Sequence, residues 1–341
     1  MRVLTFGEVL LRLAAPGYTK LFQKDSFDVT FCGGEANVAV SLAIFGMESE
    51  FVTKLPYSDI GKAAVNSLRQ FGVNTKKIVY GDGRMGLYYL EKGASQRPSK
   101  VIYDRAYSTI SLAKTQDFDW DEIFKDVDWF HWTGINPAIS DSLAEINLNA
   151  CKKAKEKGIT VSCDLNYRGK LWTPKKAQSI MPEMLKYVDI CIANEEDAEK
   201  TLGIKADGSD TENAVINKTG YVRMAEMIHS LYGCKYIATT LRKSHSASVN
   251  DWSAMLYDAN ADKAYFSKEY KIQLVDRVGG GDSFAAGLIY SLANGEEPQR
   301  AVDFATAASC LKQTIEGDYN RTTTDDVEKL LCSGGNGRVQ R

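Results

Sequence analysis

Two hydrophobic periods alternate along the chain. Arg2 to Phe6 reads as a first strand ending at Gly7, while Leu11 to Phe31 lacks a helical period and alternates at its end through Phe27, Val29 and Phe31, which predicts half-buried antiparallel strands. Ala36 to Phe45 has apolar residues at Ala36, Val40, Ala43 and Ile44, a helical spacing that Gly46 stops. A strand from Phe51 and a helix from Asp59 to Phe71, closed by Gly72, follow. Two alternating runs, Met85 to Glu91 and Val101 to Arg105, then return to the character of residues 11 to 31. Together they read as a small sheet inserted into a larger domain, a candidate lid. Alternation puts Tyr103 and Arg105 on one face of a strand and groups Tyr89 with Met85 and Leu87 on another. One lid face should therefore carry aromatics and a cation; the competing reading is a dimer interface or a plain half-buried sheet.

From Trp129 the order is regular: strand Trp129 to Thr133, helix Asp141 to Lys157 stopped by Gly158, strand Ile159 to Asp164, helix Pro174 to Leu185, strand Val188 to Ile192, helix Glu195 to Leu202. A polar stretch from Lys205 to Lys218 reads as a surface excursion before helix Tyr221 to Leu231 and strand Tyr236 to Thr240. Two more strands, near Ser253 to Tyr257 and Lys263 to Ser267, precede a glycine-rich turn and two final helices. Strand-helix alternation implies right-handed crossovers and a mostly parallel sheet with helices on both faces. The predicted class is α/β, one domain over residues 1–331 with the lid drawn from about 11–31 and 84–105. The Gly-rich tail 332–341 lacks periodicity and is expected to be mobile.

Composition narrows the function. The 42 Lys and Arg nearly balance 44 Asp and Glu, without a basic block, which argues against nucleic acid as a partner. No apolar run approaches membrane length, and the start is broken by Glu8 and Arg12, so neither a spanning helix nor a signal peptide is read. Seven scattered cysteines read as reduced core residues of a cytoplasmic protein. The three histidines, His131, His229 and His245, are isolated, so no structural metal is implied. Ile60-Gly61-Lys62-Ala63 lacks the first Gly and the final hydroxyl residue of a P-loop.

The candidate chemistry lies in Val275-Asp276-Arg277-Val278-Gly279-Gly280-Gly281-Asp282-Ser283, which opens a helix. Gly279, Gly280 and Gly281 let the backbone approach a ligand, and the helix start offers unpaired N–H groups and the positive dipole end, an anion site. Asp282 beside that cradle is a proton acceptor, which points to phosphoryl transfer to a hydroxyl; the rival reading is an ordinary helix cap. Asn166 with Arg168, Asn194 with Glu195, and Thr240 each fall just past a predicted strand end, where doubly wound sheets gather ligands. Arg168 could equally be a surface arginine, and Asn194 with its acidic followers a helix cap.

These motifs resemble those of the ribokinase-like (PfkB-type) carbohydrate kinases. Asp276-x-x-Gly279-Gly280-Gly281-Asp282-x-x-x-Ala286-Gly287 is similar to their C-terminal signature, and Gly33-Gly34-Glu35-Ala36-Asn37-x-Ala39, followed by Gly46, to their N-terminal one. Asp164-x-Asn166-x-Arg168, Asn194-Glu195-Glu196-Asp197 and Thr239-Thr240-Leu241 extend the likeness, which within the family is strongest to the 2-keto-3-deoxygluconate kinases. Departures are Arg277 for a small residue, Pro56 where the first signature ends in Gly, Asp197 for Glu, and Arg242 and Ser244 where glycines are common. The resemblance implies a three-layer α/β/α domain with a β lid, using ATP and Mg²⁺, and sometimes a monovalent cation such as K⁺. It implies Asp282 as catalytic base with the glycine cradle; Gly34, Asn37, Tyr89, Tyr103, Arg105 and Arg168 around a sugar acid; and Asn194, Thr240, Arg242, Gly279 and Gly281 at the nucleotide. Asn194 and Asp197 would reach Mg²⁺ through water. The lid's exposed edge or face suggests a homodimer.

Overall fold

The computed structural model describes residues 1–208 and 216–333. Among them a nine-stranded sheet runs Lys263–Phe266, Val249–Asp258, Tyr236–Ser244, Ile190–Ile192, Thr160–Asp164, Trp129–Thr133, Arg2–Phe6, Glu48–Val52, with Tyr270–Gln273 paired on Val249–Asp258. The six strands from Tyr236–Ser244 to Glu48–Val52 are parallel to their neighbours and the remainder antiparallel. Burial on both faces explains the near-continuous apolar strands, such as Trp129–Thr133, buried throughout.

Strand alternation sorts two cores. Leu4, Val161, Cys163 and Cys191 face one helical layer through Leu143, Ile146, Met181 and Ile228. Val3, Ile190 and Ala238 face the other through Leu42, Phe284, Leu288 and Phe304. Six cysteines are buried free thiols and Cys332 is exposed. The expected α/β/α layering is therefore observed.

The lid is a separate four-stranded sheet in the order Asp28–Cys32, Leu10–Ala14, Gly86–Glu91, Lys100–Asp104. Its register corrects the face assigned to Tyr89. Tyr88, not Tyr89, is paired with Tyr103 and with Arg12, and cross-strand partners share a face. Tyr88 is buried on the inner face, whereas the Tyr89 ring packs against Phe22 and Phe27 on the outer one. On that outer face Val29 and Ile102 are exposed.

The smaller differences among the strands share one cause, long-range pairing that local pattern does not encode. The strand expected to end at Thr240 continues to Ser244 because Val249–Asp258 pairs with its whole length, and Tyr270–Gln273 was not expected at all. The last helix, Thr324–Ser333, extends into the expected tail; residues 334–341, and 209–215 of the polar excursion, lie outside the described residues.

Candidate active site

Two helix starts converge beyond the carboxyl ends of the parallel strands. Helix Gly280–Ala293 begins from Gly279, whose φ of 81° is left-handed. A Cβ there would lie 2.2 Å from the Asp318 carbonyl, so the turn requires glycine. The cradle is narrower than the sequence indicates: the Gly280 N–H turns back to the Arg277 carbonyl at 3.2 Å, and the Gly281 and Asp282 amides have no backbone acceptor among the described residues. Helix Gly34–Ile44 meets this turn through Asn37, whose Nδ2 donates to Asp282 Oδ2 at 2.6 Å. A Cβ on Gly34 would stand 3.7 Å from Asp282 Oδ1, so bare backbone keeps the space beside the carboxylate open.

Asp282 lies where two lobes of one cleft join. The smaller, about 100 Å³, is lined by Gly34, Asn37, Tyr88, Tyr103, Arg105 and Arg168. The larger, about 440 Å³, is lined by Asn194, Asp197, Thr240, Arg242, Arg277 and Gly279 to Gly281. Every residue assigned to the site except Tyr89 thus lines one lobe or both. Thr240 and Arg242 sit inside a strand rather than beyond one, two residues apart and so on the same face.

The two arginines expected at the acid differ in state. Arg105 is buried and already paired with Glu8, which also accepts from Ser108 at 2.6 Å; its Nε is buried without a partner. Arg168 donates from Nη1 to its neighbour's carbonyl at 2.9 Å and makes no ion pair among the described residues. It supplies the nearby positive charge that opposes the raised pKa of Asp282, Asp164 and Asp197.

Desolvation dominates those carboxyls. Burial pushes Asp282 up to about 6, against the Asn37 hydrogen bond and Arg168. Asp197 also rises to about 6 through burial, and Asp164 rises through burial and the Asp197 charge. Both Asp197 oxygens are engaged by backbone N–H groups, of Tyr167 at 2.8 Å and Asn194 at 3.5 Å, within a capping box that Asn194 completes. The cap reading of Asn194 and Asp197 is thus realised, and it coexists with their place in the lobe. No cluster of three His, Cys, Asp or Glu able to hold a metal occurs among the described residues. The buried, crowded carboxyls of Asp164 and Asp197 nonetheless suit a cation that brings its remaining ligands from phosphate and water.

Sequence reasoning missed four residues here. Tyr88, Glu8 and Lys312, whose charge acts on Asp282 from behind the glycine turn, carried no signal that separated them from core or surface, whereas Arg277 stood out as a departure and proves to line the larger lobe. Burial and the Arg242 charge lower its pKa to about 10, and neither arginine makes an ion pair among the described residues.

The pfkB family carbohydrate kinase profile matches residues 2–231 and 244–325. The chain belongs to that family. The structure is similar to that of 2-dehydro-3-deoxygluconokinase from Thermotoga maritima, at 51% identity, covering 97% of this chain and 99% of that one with a TM-score of 0.93. A PfkB family carbohydrate kinase from Listeria grayi is 32% identical over 97% of this chain and 100% of its own, with a TM-score of 0.90. By sequence, the 2-dehydro-3-deoxygalactonokinase of Haloferax volcanii is 29% identical over 98% of each chain. In this carbohydrate kinase the two signature motifs are thus the two helix starts that meet at Asp282.

Proposed function

We propose that the protein transfers the γ-phosphoryl group of ATP to the primary hydroxyl of 2-keto-3-deoxygluconate. The observation that carries this reading is Asp282 at the junction of a large lobe rich in unpaired arginine and N–H groups and a small lobe holding the unpaired Arg168. The acceptor hydroxyl would sit beside Gly34, give its proton to Asp282 and form the new O–P bond as the bond to the β-phosphate oxygen breaks. The Gly281 and Asp282 amides, with Arg242 and Arg277, would hold the phosphate charge. Mg²⁺ would neutralise charge on the phosphates, held through water near Asn194, Asp164 and Asp197.

Arg168 is the proposed carboxylate partner and Arg105, already neutralised by Glu8, a secondary one. Tyr88 and Tyr103 would wall the sugar. The Haloferax relative's name raises the galacto epimer as a second substrate of the same site. Fructokinase or ribokinase activity fits Arg168 less well, because a neutral sugar leaves its charge unmet. The apolar outer lid face supports a homodimer through the lid, and six buried free thiols support a cytoplasmic location. No described helix is long and apolar enough to cross a membrane. A coupled ADP-release assay over both keto-deoxy acids, fructose and ribose tests the assignment. A preference for a neutral sugar overturns it, and sugar binding without ADP release would indicate a non-catalytic regulator.

A further inference from the structure

Behind the glycine turn lies a lysine that the reaction as described does not use. Lys312 ends helix Pro298–Lys312 and is fully buried. Its Nζ donates to the main-chain carbonyls of Asp276, at 3.1 Å, and Val278. Among the described residues it makes no ion pair, although Asp276, Asp318, Asp282 and Arg12 all act on it electrostatically. Burying an ammonium against neutral carbonyls is costly unless the arrangement itself is needed. An apolar side chain would fill the space but leave two buried carbonyls unmet.

The consequence follows from peptide planarity. No peptide bond here is cis, so each C=O points opposite to the N–H of the same unit. Drawing the Val278 carbonyl to Lys312 turns the Gly279 N–H to the other side. Ser309 Oγ donates to the Gly280 carbonyl at 2.7 Å and does the same for the Gly281 N–H. Helix Pro298–Lys312 thus gathers the carbonyls of the turn on its own side and leaves the amides for the cleft. Carbonyl oxygens around a positive centre are also how proteins hold K⁺ or NH₄⁺. We infer that Lys312 is a positioning residue, a covalently tethered cation that orients the phosphate cradle in place of a bound monovalent ion.

The inference rests on the kinase reading, so ATP binding by calorimetry is measured beside turnover; it needs no acceptor and remains informative if every sugar acid fails. Wild type should bind ATP and turn over equally, within twofold, in K⁺ salts and in salts whose only monovalent cation is tetramethylammonium. Lys312→Ala opens the cage and should lose on the order of 10²-fold in turnover. Addition of K⁺ or NH₄⁺ should restore at least tenfold in ATP affinity or turnover, with tetramethylammonium giving none. A purely structural lysine would show no such cation-selective rescue. Wild type that requires K⁺, or a folded Lys312→Ala that keeps full activity or is not rescued, overturns the inference; if the variant does not fold, the wild-type salt comparison decides.

Discussion

Asp282→Asn should make the unliganded protein more stable while disabling it. The carboxyl is lifted from 3.8 to about 6, chiefly by burial. At about 1.4 kcal/mol per unit, holding it ionised costs the fold about 3 kcal/mol. Because the folded pKa lies above the unfolded one, the native state binds the proton more tightly between roughly pH 4 and 6, so stability falls as pH rises through that window. Asparagine carries no charge and keeps an oxygen for Asn37 Nδ2. The variant's advantage should be about 3 kcal/mol at pH 8 and about half that at pH 5. For a chain of 341 residues, that corresponds to a melting temperature higher by about 4 °C at pH 8 and about 2 °C at pH 5. Relief of Asp164 and Glu35, both raised in part by the Asp282 charge, acts in the same direction. Thermal unfolding of both proteins at the two pH values is the assay. A variant no more stable at pH 8, or an advantage identical at both, refutes the account of a desolvated, charge-bearing base. In turnover the same change should cost about 10²- to 10⁴-fold with substrate binding nearly intact.

Wild-type kcat/KM should rise with pH through about 6 as Asp282 ionises, close to tenfold per unit below that value; a flat profile from pH 5 to 7 would count against it. Arg168→Ala should raise KM for the keto acid by roughly 10- to 100-fold, and Arg105→Ala by less because Glu8 already meets its charge; the reverse ranking, or equal losses on fructose, would remove carboxylate recognition from Arg168. Gly34→Ala should leave the melting temperature unchanged within a few degrees, since the added methyl meets nothing closer than 3.4 Å, and should abolish acceptor binding by filling the space beside Asp282; normal KM would place the acceptor elsewhere. Arg277→Thr should weaken ATP at least tenfold without changing KM for the acid, as read by nucleotide titration.

The sequence made the sheet legible where one strand's own pattern determined its burial. Trp129–Thr133 and Thr160–Asp164 needed no partner to be recognised, and the glycine turns announced the two helix starts. What it could not convey was register. Tyr88 and Tyr89 differ by one position, and only the pairing of Gly86–Glu91 with Leu10–Ala14 decides which ring faces the cleft. Arg105 was legible as a cation on the cleft side of the lid, but its neutralisation by Glu8, 97 positions away, was not. Lys312 looked like any basic residue at a helix end, because helix-dipole complementarity and burial against carbonyls leave the same one-letter trace.

The lid's central strand is also its mooring. Arg12 reaches out of Leu10–Ala14 to Asp276 at 2.5 Å and to Asp318, which Tyr88 Oη also grips at 2.7 Å, all of them buried. Swinging the whole sheet away would strand buried charges at a cost of several kcal/mol, and would pull on the residue that begins the glycine turn. Opening is therefore expected as a flap about a fixed keel, with Lys100–Asp104 and the segment before Asp28 moving while Leu10–Ala14 stays put. Hydrogen exchange should find Leu10–Ala14 slow with or without sugar, and Lys100–Asp104 and the segment before Asp28 slowed only when sugar is bound; fast exchange in Leu10–Ala14 in the free protein would show that the keel lifts too. Access for the acid is then from the lid's outer edge, past Ser99 and Tyr103, rather than from beneath a hinged cover.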